Sequence, residues 1–394
     1  MLLLLAAAEL FGITLWFSGG AAAPFLPESL ALDTQRIGGL TGAVQLGFVV
    51  GTALAAILNL ADLVPARLYF AASAAIGAAA NAALLGCDSY ASAVSTRFLT
   101  GAALAGVYPP AMKMVATWFR ADRGLAIGIL VGSISLGKAT PYLVRTTFGD
   151  RLVPLVLVPS ALALAAAGMI LLAYRDGPHA FPRRPFRLGL AGEIVRHRET
   201  RLAIGGYLGH MWELYAMWIW IPVFLAASFA ARPGGPGASP AWLADALATA
   251  TIAVGALGCV WGGRRADRVG RERLVNEAMA VSGACCLVVC LAFGAPWWVV
   301  APVTLVWGFF VVADSAQFST LVTEHAPAHA VGTALTLQTS LGFLLTMGTI
   351  QLVGHLSDTV GWPYAFPVLA LGPAAGIAMI ARLRGTSPGT AARA

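Results

Sequence analysis

Residues 9–17 read ELFGITLWF, and residues 213–221 read ELYAMWIWI. At an offset of 204 they pair Glu9 with Glu213, Leu10 with Leu214 and Trp16 with Trp220, and they set Phe11 against Tyr215. A second pair of stretches agrees. NLADLVPARLYF (59–70) laid on GGRRADRVGRERLV (262–275) aligns Asp62 with Asp267 at an offset of 205. Two separated anchors give one offset to within a residue, so the chain reads as a duplicated unit. Internal repeats of this kind are typical of secondary transporters.

Working outward, the composition fixes the solvent. Hydrophobic residues make up 58% of 394 and charged residues 11%, with a mean hydropathy of +0.78. Soluble domains carry about 25% charged residues. Apolar runs of about 20 residues recur along the whole length, each long enough to cross a bilayer as a helix. Twelve spans are expected, near 1–26, 37–60, 68–87, 91–119, 124–145, 152–174, 202–229, 241–261, 274–294, 297–323, 331–353 and 363–383. Many are rich in Gly and Ala, which lets helices approach closely in lipid.

The expected fold is an all-α membrane protein of two pseudo-symmetric six-helix bundles. The first occupies 1–174 and the second 202–383, joined by a Pro- and Arg-rich linker at 175–201 and followed by a tail at 384–394. Eighteen Lys and Arg residues fall in loops on the side of the termini, against four on the other side, with three inside spans. By the positive-inside rule both termini are expected in the cytoplasm of a bacterial inner membrane. Glu213 lies twelve residues after Arg201, whereas only eight residues precede Glu9, so a short basic segment is expected upstream of Met1.

Other classes are excluded in turn. A net charge of +7 reflects the basic loops and no nucleic-acid partner, because no basic stripe is interleaved with exposed aromatics. The five cysteines (Cys87, Cys259, Cys285, Cys286 and Cys290) lie in or beside apolar runs with no CxxC pair, and they read as small buried apolar residues. No cleavable signal, Walker motif, nucleophile elbow or zinc-protease motif is present, so neither an enzyme nor a cofactor is expected. His210 and Glu213 alone are too few ligands for a metal.

The loop GGRRADRVGRER (262–273) resembles the major facilitator superfamily signature G-x-x-x-D-R-x-G-R-R/K, with Gly263, Asp267, Arg268, Gly270 and Arg271 in place and Glu272 departing from the last basic position. The first-half copy keeps Asp62 and Arg67 but has Pro65 where the second Gly belongs. The resemblance implies a gate loop, whose carboxylate faces a helix N-terminus and whose arginines bridge to neighbouring helices. RFLTG (97–101) resembles the family's R-x-x-x-G element. YPPAMKMVATWFRADRGLAIGILVGSISLGKATP (108–141) is similar to nitrate/nitrite-type and organic-anion carriers in WF-x-x-x-RG-x-A-x-G, without their Gly- and Asn-rich fifth-helix signature. The family resemblance also implies that the first, fourth, seventh and tenth spans line a central cavity.

An ionisable group inside hydrocarbon is a functional candidate by default. Glu9, Arg97, Lys113, His210, Glu213 and Asp314 fall on the four cavity spans; Lys138 is on the fifth and Glu277 on the ninth. Helical spacing gives the stripes Glu9–Ile13–Trp16, His210–Glu213–Met217–Trp220 and Trp307–Phe310–Asp314–Gln317. Glu213 is the first choice for proton coupling, with His210 as relay and Asp314 and Glu9 as further candidates, since a carboxylate whose exposure alternates changes its proton affinity. Pairing of Glu213 with Lys113 or Lys138 stays open, and Glu277 suits a gate contact or snorkelling to the interface. Lys113 follows Pro109-Pro110, which frees carbonyls toward a cavity, and it is the leading anion-site candidate. Arg97, Lys138, Tyr108, Trp16, Trp220, Trp307 and Gln317 complete the substrate-binding candidates.

The function expected is secondary active transport of a small solute, an inorganic or organic anion ahead of a proton-driven efflux substrate of amphipathic or cationic type. A transporter-shaped sensor is the alternative of another class. The expected partners are a small molecule, protons and lipid, with the chain a monomer. Glu213→Gln is expected to abolish pH-driven transport.

Overall fold

The structure, a computed structural model, describes residues 1–58, 60–119, 123–149, 151–179, 188–232 and 241–384, with the side chains of 29, 61, 62, 123, 124, 188 and 241 outside the description. The described chain is nearly all helix. Eleven segments are long and apolar enough to cross a bilayer. The first three are α1 (Leu2–Phe25), α2 (Thr34–Ile57) and α3 (Ala66–Gly86). Two shorter helices follow, α4 (Tyr90–Leu104) and α5 (Tyr108–Trp118). Then come α6 (Leu125–Phe148), α7 (Leu152–Ala173), α8 (Arg198–Ala230) and α9 (Trp242–Val269). The series ends with α10 (Arg271–Leu291), α11 (Trp297–His325), α12 (Val331–Thr359) and α13 (Trp362–Arg384).

One expected span differs. Residues 91–119 read as a single helix in the sequence, yet the chain breaks between Leu104 and Tyr108. Pro109 and Pro110 have no N–H to donate to the preceding turn, so helix restarts with them in its first turn, where no donor is required. At 15 and 11 residues, neither piece alone matches a hydrocarbon core about 30 Å thick.

Local signals set the other ends. The Asp33 carboxylate accepts from the Arg36 N–H at 2.7 Å and caps α2, and Ser89 with Ser92 forms a capping box on α4. Gly270, at φ +88°, ends α9 and starts α10 within one residue, a conformation side-chain-bearing residues rarely adopt. Outward-facing leucines such as Leu172 and Leu291 are about as exposed as on an isolated helix, as a lipid-facing surface requires.

A band of contacts between the two halves of the sequence closes one face. Thr34 Oγ1 donates to Asp358 Oδ1 at 2.8 Å, Gln351 Nε2 donates to the Gln35 carbonyl at 3.2 Å, and Arg145 Nε lies 3.2 Å from Asp245 Oδ2. Gln45 and Thr346 share a hydrogen bond deeper in. The opposite face, reached by the end of α2 and the starts of α3 and α12, stays open onto a cavity. Leu2 and Arg384 stand at that open face, because successive helices alternate direction.

Candidate functional site: the central cavity

The cavity has a volume of about 750 Å³, within the size range of small-molecule sites. Its construction starts at a fault in α1, which is interrupted at Thr14. The carbonyls of Leu15 and Trp16, just past the fault, accept from Arg97 Nη2 at 2.9 and 2.8 Å. Arg97 Nη1 donates to Asn81 Oδ1 at 2.6 Å, and Asn81 in turn donates to the Val156 carbonyl and Ser160 Oγ at 3.0 Å. Gly19 makes room for this knot, since a Cβ there would sit 2.7 Å from Arg97 Nε. Arg97 is thus buried inside the first half and does not face the cavity. It holds the fault that turns Trp16 toward the solute space.

Trp16 is in the cavity wall, and next to it stands Lys138 of α6. The Lys138 amine lies 4.1 Å from the ring centroid of Tyr215, 4.3 Å from Trp218 and 4.6 Å from Trp16. It also donates a hydrogen bond to the Tyr215 hydroxyl. The rings offer their negative faces to the ammonium. The opposite charge acting on Lys138 is Glu9. Glu9 is fully buried on α1, and neither of its carboxylate oxygens has a hydrogen-bond partner among the described residues. Lys113 and Tyr108 of α5 line the cavity as well, with Arg271 toward the mouth.

His210 of α8 is the other ionisable group of the wall. Its Nδ1 lies 3.0 Å from Asp314 Oδ1, and its Nε2 lies 3.0 Å from Ser315 Oγ. The sequence expectation put His210 beside Glu213, three residues on; the fold pairs it across to α11.

Glu213 faces elsewhere. It accepts hydrogen bonds from Trp307 Nε1, from Ser282 Oγ at 2.9 Å and from Cys286 Sγ at 3.2 Å, inside the second half and away from the cavity. Neither lysine is its hydrogen-bond or ion-pair partner. Trp307 is committed to Glu213, and Trp220 donates to the Ile350 carbonyl at 2.9 Å in the closed face. Gln317 is buried off the cavity wall. The cavity face of α8 is instead Tyr207, Met211, Leu214, Tyr215 and Trp218. Its spacing of four and three is as regular as the Glu213 stripe, but a helix apolar on every side gives no phase from which to choose.

The gate-loop residues gather at the open face. Arg271 Nη1 lies 3.0 Å from Glu324, and Arg265 and Arg273 hold Glu277 at 3.2 and 2.9 Å. Asp267, Arg268 and Arg67 are exposed, and Gly263 and Gly270 flank the turn. Asp62 lies in the short helix Leu60–Leu63, with its side chain outside the described residues.

Long apolar helices around a solute-sized cavity, closed at one face and open at the other, define a multi-pass membrane transport protein. The family model of the Major Facilitator Superfamily matches residues 4–349, and the chain belongs to that family. It is 26% identical over 352 residues to an uncharacterized MFS-type transporter of Mycobacterium tuberculosis, covering 85% of this chain and 74% of the relative. It is 24% identical over 381 residues to the hexuronate transporter of Escherichia coli K12, covering 89% of this chain and 85% of the relative. The crystal structure of the nucleoside transporter NupG superposes with a TM-score of 0.73 at 14% identity, covering 97% of this chain and 99% of that one. That last likeness carries the fold alone.

Proposed function

We propose that this protein is a secondary active transporter that moves a small anion by alternating access of the central cavity, with protons as the coupling ion. One observation carries the reading: among the described residues the cavity wall holds Lys113, Lys138, Arg271 and His210, and no aspartate or glutamate. A wall that carries two lysines and an arginine, with the carboxylates that act on them such as Glu9 and Glu324 set outside it, favours an anion over an organic cation. The hexuronate relative, whose name denotes an organic acid, points the same way.

In this reading two bundles, 1–174 and 202–383, rock about the cavity while the 175–201 linker spans them. The pair α4 and α5 together make the twelfth crossing, and both termini lie in the cytoplasm of a bacterial inner membrane, so the open face is the inward one. The 384–394 tail and the gate loop share that side. A monomer suffices, because the whole pathway lies within one chain. Glu9, whose charge acts on Lys138, and the His210–Asp314 pair carry the protons in this reading; Glu213, enclosed inside the bundle, is the secondary candidate.

A second reading rests on the rings around Lys138, the surroundings an organic cation seeks. Flux measured in proteoliposomes separates the two, using glucuronate, benzoate, nitrate and tetraphenylphosphonium with and without an imposed pH gradient. Accumulation of an anion, lost in Lys113→Ala, supports the anion reading; extrusion of tetraphenylphosphonium alone replaces it with efflux. No flux of any solute would favour a sensor.

A further inference from the structure

We infer that the solute is a monocarboxylate with a flat apolar body, an aromatic acid in its simplest form, seated with its carboxylate at Lys138 and its ring among Trp16, Phe48 and Phe343. This rests on the anion reading above and narrows it to a chemical class.

The head-group end of the seat is rich in donors without acceptors. The indole rings of Trp16 and Trp218 both lie over the Lys138 amine, and neither Nε1–H has a hydrogen-bond partner. Both residues line the cavity and are at least nine-tenths buried. The ammonium has three N–H groups and spends one on the Tyr215 hydroxyl, which leaves two to give. An ammonium flanked by two indoles whose buried N–H groups lack acceptors suits a carboxylate, which accepts on two oxygens and donates nothing; the indole N–H groups reach it only by a turn of their rings. A single ammonium at the apex matches a single negative charge. Its resident counter-charge, Glu9, is tied to it by no hydrogen bond, so an arriving carboxylate replaces an electrostatic partner and breaks no direct contact.

The body end is a ring cluster. Trp16 lies 5.1 Å from Phe48 and 5.5 Å from Phe343, with Phe48 and Phe343 at 4.7 Å and Tyr215 at 5.2 Å from Phe343. These separations are those of packed aromatic pairs, and Trp16, Phe48 and Phe343 all line the cavity, so a solute there meets aromatic carbon. A polyhydroxylated sugar acid would bring hydroxyls against carbon faces that cannot bond them, and nitrate would leave the ring faces uncovered.

The test uses the purified full-length protein in detergent, titrated with benzoate, acetate, glucuronate, nitrate and tetraphenylphosphonium by calorimetry and tryptophan fluorescence. Benzoate is expected to bind at least about tenfold tighter than acetate, which carries the same carboxylate without the ring. Lys138→Met is expected to weaken benzoate by at least about tenfold, and Trp218→Phe, which keeps a ring and loses the N–H, by about fivefold. The benzoate-to-acetate ratio is read on the unaltered chain, so it decides the matter even if Lys138→Met does not fold. Glucuronate or nitrate binding tighter than benzoate, or benzoate no tighter than acetate, overturns the aromatic class and leaves the anion reading standing. Binding of tetraphenylphosphonium alone removes both, and binding of none of the five overturns the proposed seat.

Discussion

The two halves of this chain align Glu9 with Glu213, and the structure gives these matched carboxylates opposite surroundings. Glu213 is gripped by three donors from two other helices, in a polar knot closed off from the cavity. Glu9 is as deeply buried, with no donor among the described residues, and acts on a lysine of the cavity wall. The first half does have a polar knot of its own, built on a cation. At the offset of 205, Cys286 corresponds to Asn81, and Asn81 belongs to the Arg97 cluster. At matched positions on α3 and α10 a polar knot therefore recurs, with a guanidinium at its centre in one and a carboxylate in the other.

The largest expected effect tests that division of labour. Glu9→Gln is expected to reduce pH-driven solute flux in proteoliposomes to the leak of empty vesicles, while Glu213→Gln keeps most of it, a reversal of what the sequence suggested. The opposite pattern would return the coupling role to Glu213. On stability the ranking inverts. Arg97→Met, which strands the Leu15 and Trp16 carbonyls and Asn81, is expected to cost about 3–5 kcal/mol in denaturation of the detergent-solubilised protein. Glu213→Ala leaves three donors without an acceptor and is expected to cost about 3 kcal/mol. Trp307→Phe removes one of those donors for about 1 kcal/mol with transport unchanged. The smallest change is expected at Glu9→Ala, about 1 kcal/mol or less, because relief of the cost of burying a carboxyl without hydrogen bonds offsets the loss of Lys138's counter-charge. A loss at Glu9→Ala matching that at Glu213→Ala would mean the two carboxylates are held alike.

Much of the site was visible before the fold. Lys113, Lys138, Tyr108, Trp16 and His210 were singled out as polar or aromatic intruders in apolar spans, and all line the cavity. Trp220, Trp307 and Gln317 were singled out on the same grounds and do not. Tyr215 and Trp218, the rings that hold Lys138, went unselected because the stripe through Glu213 runs along the other side of the helix. Positions 213 and 215 are two residues apart, about 200° around the axis. Had Lys138 been taken as a guide, the aromatic pair at i and i+3 on the seventh span was its available signal.

By itself the sequence determined the solvent and eleven of the twelve expected crossings, because hydropathy adds up locally along the chain. Pro109 and Pro110 signalled a disturbance within 91–119, but that stretch still read as one helix, and its division at Leu104 came from the structure. The tertiary structure alone decided the rotational phase of each helix, and with it which of two matched carboxylates acts on a lysine through space and which bonds an indole. In lipid a helix can be apolar on every face, so its orientation is set by the neighbours its small and polar residues find, and those neighbours lie far away in sequence.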